Sequence, residues 1–189
     1  MTEREEWKPG NMLYPCPVAM ISTRGMDNKP NIFTVAWTGT ICTNPPMAYI
    51  SVRPERYSYN AIKETGEFII NLVTDTLTFA ADFCGVRSGR DYDKFKYLHL
   101  TERDVEGFKA PAIDESPVNI MCKVKEILPL GSHHMVLADV VGVSIDKKYL
   151  DNKKKFHLEW ANLVCYSHGD YMLTGKKIGK FGYSVEKKK

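Results

Sequence analysis

Apolar positions along the chain fall into short, β-rich runs separated by clusters of turn residues. Val18–Ser22 is the first such run. It ends at the polar turn Arg24–Pro30, which predicts a hairpin connection into Asn31–Trp37. Asn44-Pro45-Pro46 breaks the next strand and Met47–Val52 resumes it. Phe68–Val73 is continuously apolar except at Asn71, as a buried strand reads. Further on, Val118–Leu128 and Met135–Ile145 are predicted as long strands facing each other across the hairpin Pro129–His134. Two short helices interrupt this pattern. Ser58 is the expected N-cap of Tyr59–Thr65, with Gly66 as C-cap, and Thr76 is expected to cap Leu77–Cys84 before Gly85 ends it. Strands outnumber helices, and no repeat or linker divides residues 1–189. The prediction is one mainly β domain, an antiparallel barrel with short peripheral helices, not a doubly wound parallel sheet.

Composition narrows the function classes. A 43% hydrophobic and 26% charged chain of 189 residues reads as an ordinary globular protein with room for a core. The net charge of +3 is too small to point to nucleic acid, and part of it sits in the Lys187–Lys189 tail, which reads as a solvated end. No apolar run reaches the ~20 residues of a membrane span. The charged start Met1–Glu6 has no apolar core of a signal peptide, so a cytoplasmic location is expected. Cys16, Cys42, Cys84, Cys122 and Cys165 lie far apart, which argues against a disulfide framework or a cysteine metal site.

Familiar catalytic motifs are missing. No G-x-G-x-x-G follows a strand, and neither H-E-x-x-H nor G-x-S-x-G occurs. Gly169–Lys176 only superficially resembles a phosphate-binding P-loop. Its glycines stand one residue too far apart, and Lys177 occupies the Ser or Thr position. His133 and His134 are adjacent, so on one strand they face opposite ways and cannot share a metal.

Three segments carry the remaining chemistry. Thr34–Thr40 combines hydroxyls, Trp37 and Gly39, either as a strand edge that meets a polar ring or as an ordinary strand with a buried Trp and a bulge. Ser51–Ser58 places Arg53 and Arg56 beside a helix start, where free N–H groups and guanidinium forks suit a phosphate. The alternative is a solvated loop whose arginines pair with Glu55 or Glu64. Ser88–Phe95 again mixes Gly, hydroxyl and basic groups, and by itself reads as a charged surface loop.

At these residues the sequence resembles the flavin reductase-like, FMN-binding split-barrel family, and more narrowly its flavoredoxin branch. The resemblance is carried by Asn31–Gly39, Asn44-Pro45-Pro46, Arg53–Ser58, Glu64–Leu72 and Cys84–Phe95, in that order, within about residues 13–185. It implies a split β-barrel of Greek-key topology, a homodimer, and FMN bound near the dimer interface. By the same resemblance Trp37, Thr38, Gly39 and Thr40 lie along the flavin. Ser51, Arg53, Arg56, Tyr57 and Ser58 serve its phosphate and ribityl end, and Cys84, Ser88, Gly89, Asp91 and Lys94 close the site. The expected function is an oxidoreductase that moves electrons from NAD(P)H through FMN to a small-molecule or protein acceptor. The alternatives are a flavoredoxin-type carrier that never meets NAD(P)H and, in another class, a β-barrel module for single-stranded nucleic acid. Family members often carry Gly-Asp-His in the second half. Here Gly131-Ser132-His133 stands instead, making His133 either a nicotinamide contact or a solvated turn residue.

Overall fold

The computed structural model describes residues 2–186, so the Lys187–Lys189 tail lies outside the described residues. β1 (Cys16–Pro17) precedes a hairpin of β2 (Ala19–Arg24) and β3 (Pro30–Val35), whose turn holds Asn28 at a left-handed φ of 63°. A second hairpin, β4 (Thr38–Thr43) and β5 (Pro46–Val52), leads into α1 (Tyr57–Thr65) and β6 (Glu67–Leu72). Then come α2 (Thr78–Val86), α3 (Lys94–Tyr97) and the two-residue strands β7 (Glu102–Arg103) and β8 (Ala112–Ile113). The long hairpin β9 (Val118–Pro129) and β10 (His134–Ile145) and the short β11 (Val164–Ser167) and β12 (Asp170–Leu173) follow.

Seven of these strands form one antiparallel sheet in the order β3-β2-β6-β9-β10-β5-β4. The two early hairpins are thus prised apart by strands from later in the chain, the interleaving expected of a Greek-key split barrel. The sheet curls until Phe33 and Val35 of β3 pack with Ala48, Ile50 and Val52 of β5, with Phe68, Ile70 and Val136 filling the interior. Tyr59 and Ile62 of α1 plug one end of that core. A second apolar layer packs α2 and α3 against the outer face of β2 and β3 through Met20, Ile32, Ala81 and Phe95. Among the described residues no helix is long and apolar enough to cross a membrane.

Local signals located the helices but misassigned three of their ends. α1 begins at Tyr57, and its N-cap is Arg56 without a side-chain cap bond. The Ser58 hydroxyl is instead buried and accepts from Thr23 Oγ1 at 2.9 Å and Asn31 Nδ2 at 2.8 Å. Gly66 does close the helix, in the left-handed conformation at φ 66°, donating to Ile62 O. In α2 the Thr76 hydroxyl lies against Thr74 Oγ1, outside the helix, so Thr76 is not the cap. Gly85 lies inside α2, which runs on to Val86.

Asn71, the polar break in the β6 run, is the buried hub that ties the sheet to β8. Its Nδ2 donates to Met20 O (2.9 Å) and Ser22 Oγ (3.0 Å), while its Oδ1 accepts from Ile113 N (3.0 Å) and Asn119 Nδ2 (2.9 Å). An Asn71→Leu variant keeps the heavy-atom branching, in a somewhat larger side chain, but takes the acceptor from two buried donors. At roughly 1–3 kcal/mol each, the expected loss is about 2–5 kcal/mol. It should appear as a lower urea midpoint at unchanged slope. A midpoint equal to wild type contradicts this role.

Candidate functional site

The seam between β3 and β5 opens onto the start of α1. The turn in which Arg56 N donates to Arg53 O at 3.0 Å carries the chain from strand to helix in four residues. It leaves the first N–H groups of α1 facing the opening, as the start of any helix does. Opposite stands the loop after α2. Gly89 there lies so close to α1 that a Cβ would sit 2.3 Å from Asn31 Oδ1 and 2.7 Å from Tyr57 Cδ1. Only glycine lets this loop close on the helix start.

Between them lies a cleft of about 270 Å³ lined by Asn31, Phe33, Arg53, Glu55, Arg56, Tyr57, Ser58, Val86, Arg87, Ser88, Gly89, Arg90 and Lys94. Among the described residues, none of the guanidinium groups of Arg53, Arg56, Arg87 and Arg90 forms an ion pair, with Glu55 or Glu64 or any other acid. Arg90 lies over the Tyr57 ring at 5.6 Å and Arg87 over the Tyr92 ring at 5.9 Å. Lys94 is 2% exposed, and its Nζ donates to Ile32 O (2.6 Å) and Cys84 O (3.0 Å). Burial, with Arg56 adding to it, pushes its pKa down to about 8.

Past Phe33, Arg53 and Arg56 the cleft continues into a second compartment of about 470 Å³ along Ala36, Trp37, Ser51, Tyr14 and His133. Trp37 and His133 face each other with ring centroids 4.7 Å apart. His133 is therefore half-buried against an aromatic wall, not a solvated turn residue, while His134 points the other way and bonds Tyr59 OH at 2.6 Å. Burial first, then the charge of Arg53, holds the His133 pKa below the ordinary imidazole value.

The predicted residues divide accordingly. Arg53, Arg56, Tyr57, Ser58, Ser88, Gly89 and Lys94 converge on the first compartment, and Trp37, Ser51 and His133 on the second. Thr38 is buried, donating to Tyr49 O at 2.6 Å, and reaches only an adjoining apolar groove. The space beside Gly39 is taken by the Tyr49 ring, 3.1 Å from where a Cβ would lie, and Thr40 is exposed. Cys84 lies on the buried face of α2 with its thiol pKa raised to about 12 by burial, contributing only its carbonyl to Lys94. Asp91 is exposed and outside the cleft. Sequence reasoning did not single out Arg87, Arg90, Asn31 or Tyr14. Arg87 carried a signal, a cation just beyond a helix end, and Arg90 stood within the Ser88–Phe95 loop, whereas Asn31 and Tyr14 are brought in by strand pairing and chain reversal.

An antiparallel split barrel with a cationic, ring-lined cleft at its seam is the class that this geometry defines. The chain belongs to the flavin reductase like domain family, which residues 12–171 match. Its structure is similar to that of the flavoredoxin of Desulfovibrio vulgaris, at 26% identity and a TM-score of 0.89, covering 97% of this chain and 100% of that one. It is also similar to a flavoredoxin from Methanosarcina acetivorans, at 23% identity and a TM-score of 0.86, covering 98% and 100%. An uncharacterized protein of Archaeoglobus fulgidus is 28% identical over 149 residues, 79% of this chain and 83% of that protein. The donor set fits a flavin nucleotide. Guanidiniums that form no ion pair among the described residues, beside a helix start, suit a phosphate monoester, and the Trp37 wall suits a flat ring.

An anion seated at Arg53 and Arg56 should raise the His133 pKa by offsetting the cationic field that depresses it. By linkage, anion affinity should then grow as pH falls through the His133 titration. Sulfate, whose charge is fixed in that range, is the suitable probe. NMR titration of the His133 ring with and without sulfate reads the effect, and an unchanged or lowered pKa would contradict it.

Proposed function

We propose that this chain is an FMN-dependent oxidoreductase, holding the flavin phosphate at the start of α1 and its ring along Trp37. The observation that carries the reading is the convergence of Arg53, Arg56, Arg87 and Arg90, none ion-paired among the described residues, on one helix start that opens onto an aromatic compartment. Bound FMN supplies the redox chemistry, so no nucleophile or acid–base pair is required of the protein. The part of the chain is to bind and orient. Arg53 and Arg56 grip the phosphate as forks, and the buried ammonium of Lys94 adds charge from below. Gly89 and Ser88 bring backbone and hydroxyl donors against it. Trp37 and Ser51 flank the ring compartment and His133 roofs it against water.

NAD(P)H is the proposed electron donor. His133 stands where a nicotinamide would meet the ring compartment, offering a neutral imidazole that can stack on it or bond its carboxamide. A second reading, the carrier that takes electrons from a protein and never meets a pyridine nucleotide, is supported by the likeness to flavoredoxin and by Ser132 standing beside His133 where an acid would orient it.

Purified protein should be yellow and release FMN on denaturation. Arg53→Ala with Arg56→Ala should weaken FMN binding at least about a hundredfold, since bonds to charged groups contribute roughly 1.5–3 kcal/mol each. Riboflavin binding should scarcely change. Equal FMN affinity in a folded double variant sinks the phosphate assignment.

Stopped-flow mixing with NADH and NADPH separates the two readings of the donor. Under the reductase reading wild type is reduced, and His133→Ala is reduced more slowly through weaker nucleotide binding with FMN affinity intact. If neither nucleotide reduces the wild-type flavin, the carrier reading replaces it.

A further inference from the structure

Between β10 and β11 the chain forms a small flap that is closed on itself and anchored at both ends. Tyr149 is buried at its start, and Leu150 pairs with Phe156 across the tip. At the far end Asp75 N donates to Asn162 O at 3.1 Å, and Leu163 pairs with Thr74, just after β6. The tip itself is built on Asp151. Its Oδ1 accepts from Lys153 N (2.8 Å) and Lys155 N (2.9 Å). Its backbone N–H donates to Lys155 O, and its carbonyl accepts from Lys154 N, with Lys154 at a left-handed φ of 61°.

One side chain ties this tip to the 3-10 turn that follows it, Leu158–Ala161. His157 Nε2 lies 3.1 Å from Asp151 Oδ2, and its Nδ1 lies 2.9 Å from Glu159 Oε1. The imidazole also stacks flat on Trp160, with ring centroids 4.1 Å apart and planes 6° from parallel. Ionised carboxylates only accept, so both ring nitrogens must donate, and only the imidazolium carries two N–H groups. A neutral ring serves one carboxylate and turns a lone pair toward the other. The surrounding charges agree with the charged form. The bonds to Glu159 first and then to Asp151 hold the His157 pKa above the ordinary imidazole value, against burial and the charge of Lys155. Lys148, on the turn before the tip, is engaged by Asp146 at 2.8 Å. Lys177, from the segment after β12, helps His157 keep Glu159 ionised.

We infer that His157 is a proton-operated latch: as the imidazolium it clamps the Leu158–Ala161 turn to the tip through Asp151 and Glu159, and on losing one proton it lets that turn go. Asp151 keeps its backbone donors in either state, so Glu159 is the arm that is released, and Trp160 moves with it. Stacking weakens in the same step, because an indole face attracts a cation more than a neutral ring. The sign follows from linkage. A group whose folded pKa is raised contributes order below that pKa, and the contribution is lost as pH rises through it. The latch is therefore shut on the acid side of the His157 titration and opens on the alkaline side. It requires no cofactor, so it stands or falls independently of the flavin reading.

NMR titration of the full chain reads both halves of the latch. Below its midpoint the His157 ring should show both nitrogens protonated, and the midpoint should lie above the ordinary imidazole value. Exchange of the Trp160 amide, which donates to His157 O, should be followed in parallel and corrected for its intrinsic pH dependence. It should quicken about two- to fivefold as pH rises through that midpoint, the scale of one solvent-exposed ion pair. Glu159→Gln should lower the His157 midpoint and abolish the step in Trp160 exchange. His157→Gln, whose side chain does not titrate, should show one corrected rate throughout. A His157 midpoint at or below the ordinary value, a Trp160 amide indifferent to the titration, or the same step in His157→Gln would overturn the inference.

Discussion

Positive charge gathered in excess, with Glu55 as the one acid lining the same cleft and no ion pair to it among the described residues, is the constraint around which the candidate site is arranged. Arg53, Arg56, Arg87, Arg90 and Lys94 line one cleft, in a chain whose net charge is only +3. Like charges at short range raise one another's cost, most of all where water is excluded. Lys94 bears that cost most visibly: its ammonium is buried, bonded only to the carbonyls of Ile32 and Cys84, with its pKa down to about 8. Burying an unpaired charge is expensive unless something compensates it. A doubly charged anion in the cleft does so for all five groups together.

Holding such a cluster in place requires a scaffold that cannot relax away from it. Ser58 provides one anchor, because its buried hydroxyl accepts from both Thr23 and Asn31 and so fixes α1 to β2 and β3. Asn31 in turn blocks any side chain at position 89, which locks the loop after α2 against the helix start. Lys94 bridges β3 and α2 from beneath. Three elements from distant parts of the chain thus meet through buried polar contacts, each of which is costly to leave unmade.

What was legible in the sequence follows from the range of the forces involved. Two of the three hairpins of the main sheet were readable because turn residues and β-rich runs act locally: Arg24–Pro30 between β2 and β3, and Pro129–His134 between β9 and β10. Gly66 was readable for the same reason, since only the backbone decides a left-handed cap. Ser58 was misread as a cap because its partners, Thr23 and Asn31, lie 35 and 27 residues away in the chain. Gly39 invited a ligand, but the strand register fills its space with Tyr49. The phosphate-favouring pattern at Arg53–Ser58 was visible, and the additional arginine at position 87 was not, because only the packing of α2 against β3 turns it toward the same cleft.

The same charge distribution gives His133 its character. Facing Trp37 in the second compartment, the imidazole sits in a field from Arg53 and Arg56 that opposes its protonation, with Glu55 only partly offsetting it. An acidic residue at position 132 would add a negative charge beside the ring and favour the imidazolium. Ser132, whose Oγ lies 3.0 Å from Nδ1, can orient the ring but cannot charge it. At neutral pH the side chain over the ring compartment is therefore an uncharged aromatic with one N–H donor. The cleft is divided by its electrostatics into a cationic end suited to phosphate and a neutral, aromatic end suited to flat rings. The boundary falls at Phe33, Arg53 and Arg56, the residues that the two compartments share.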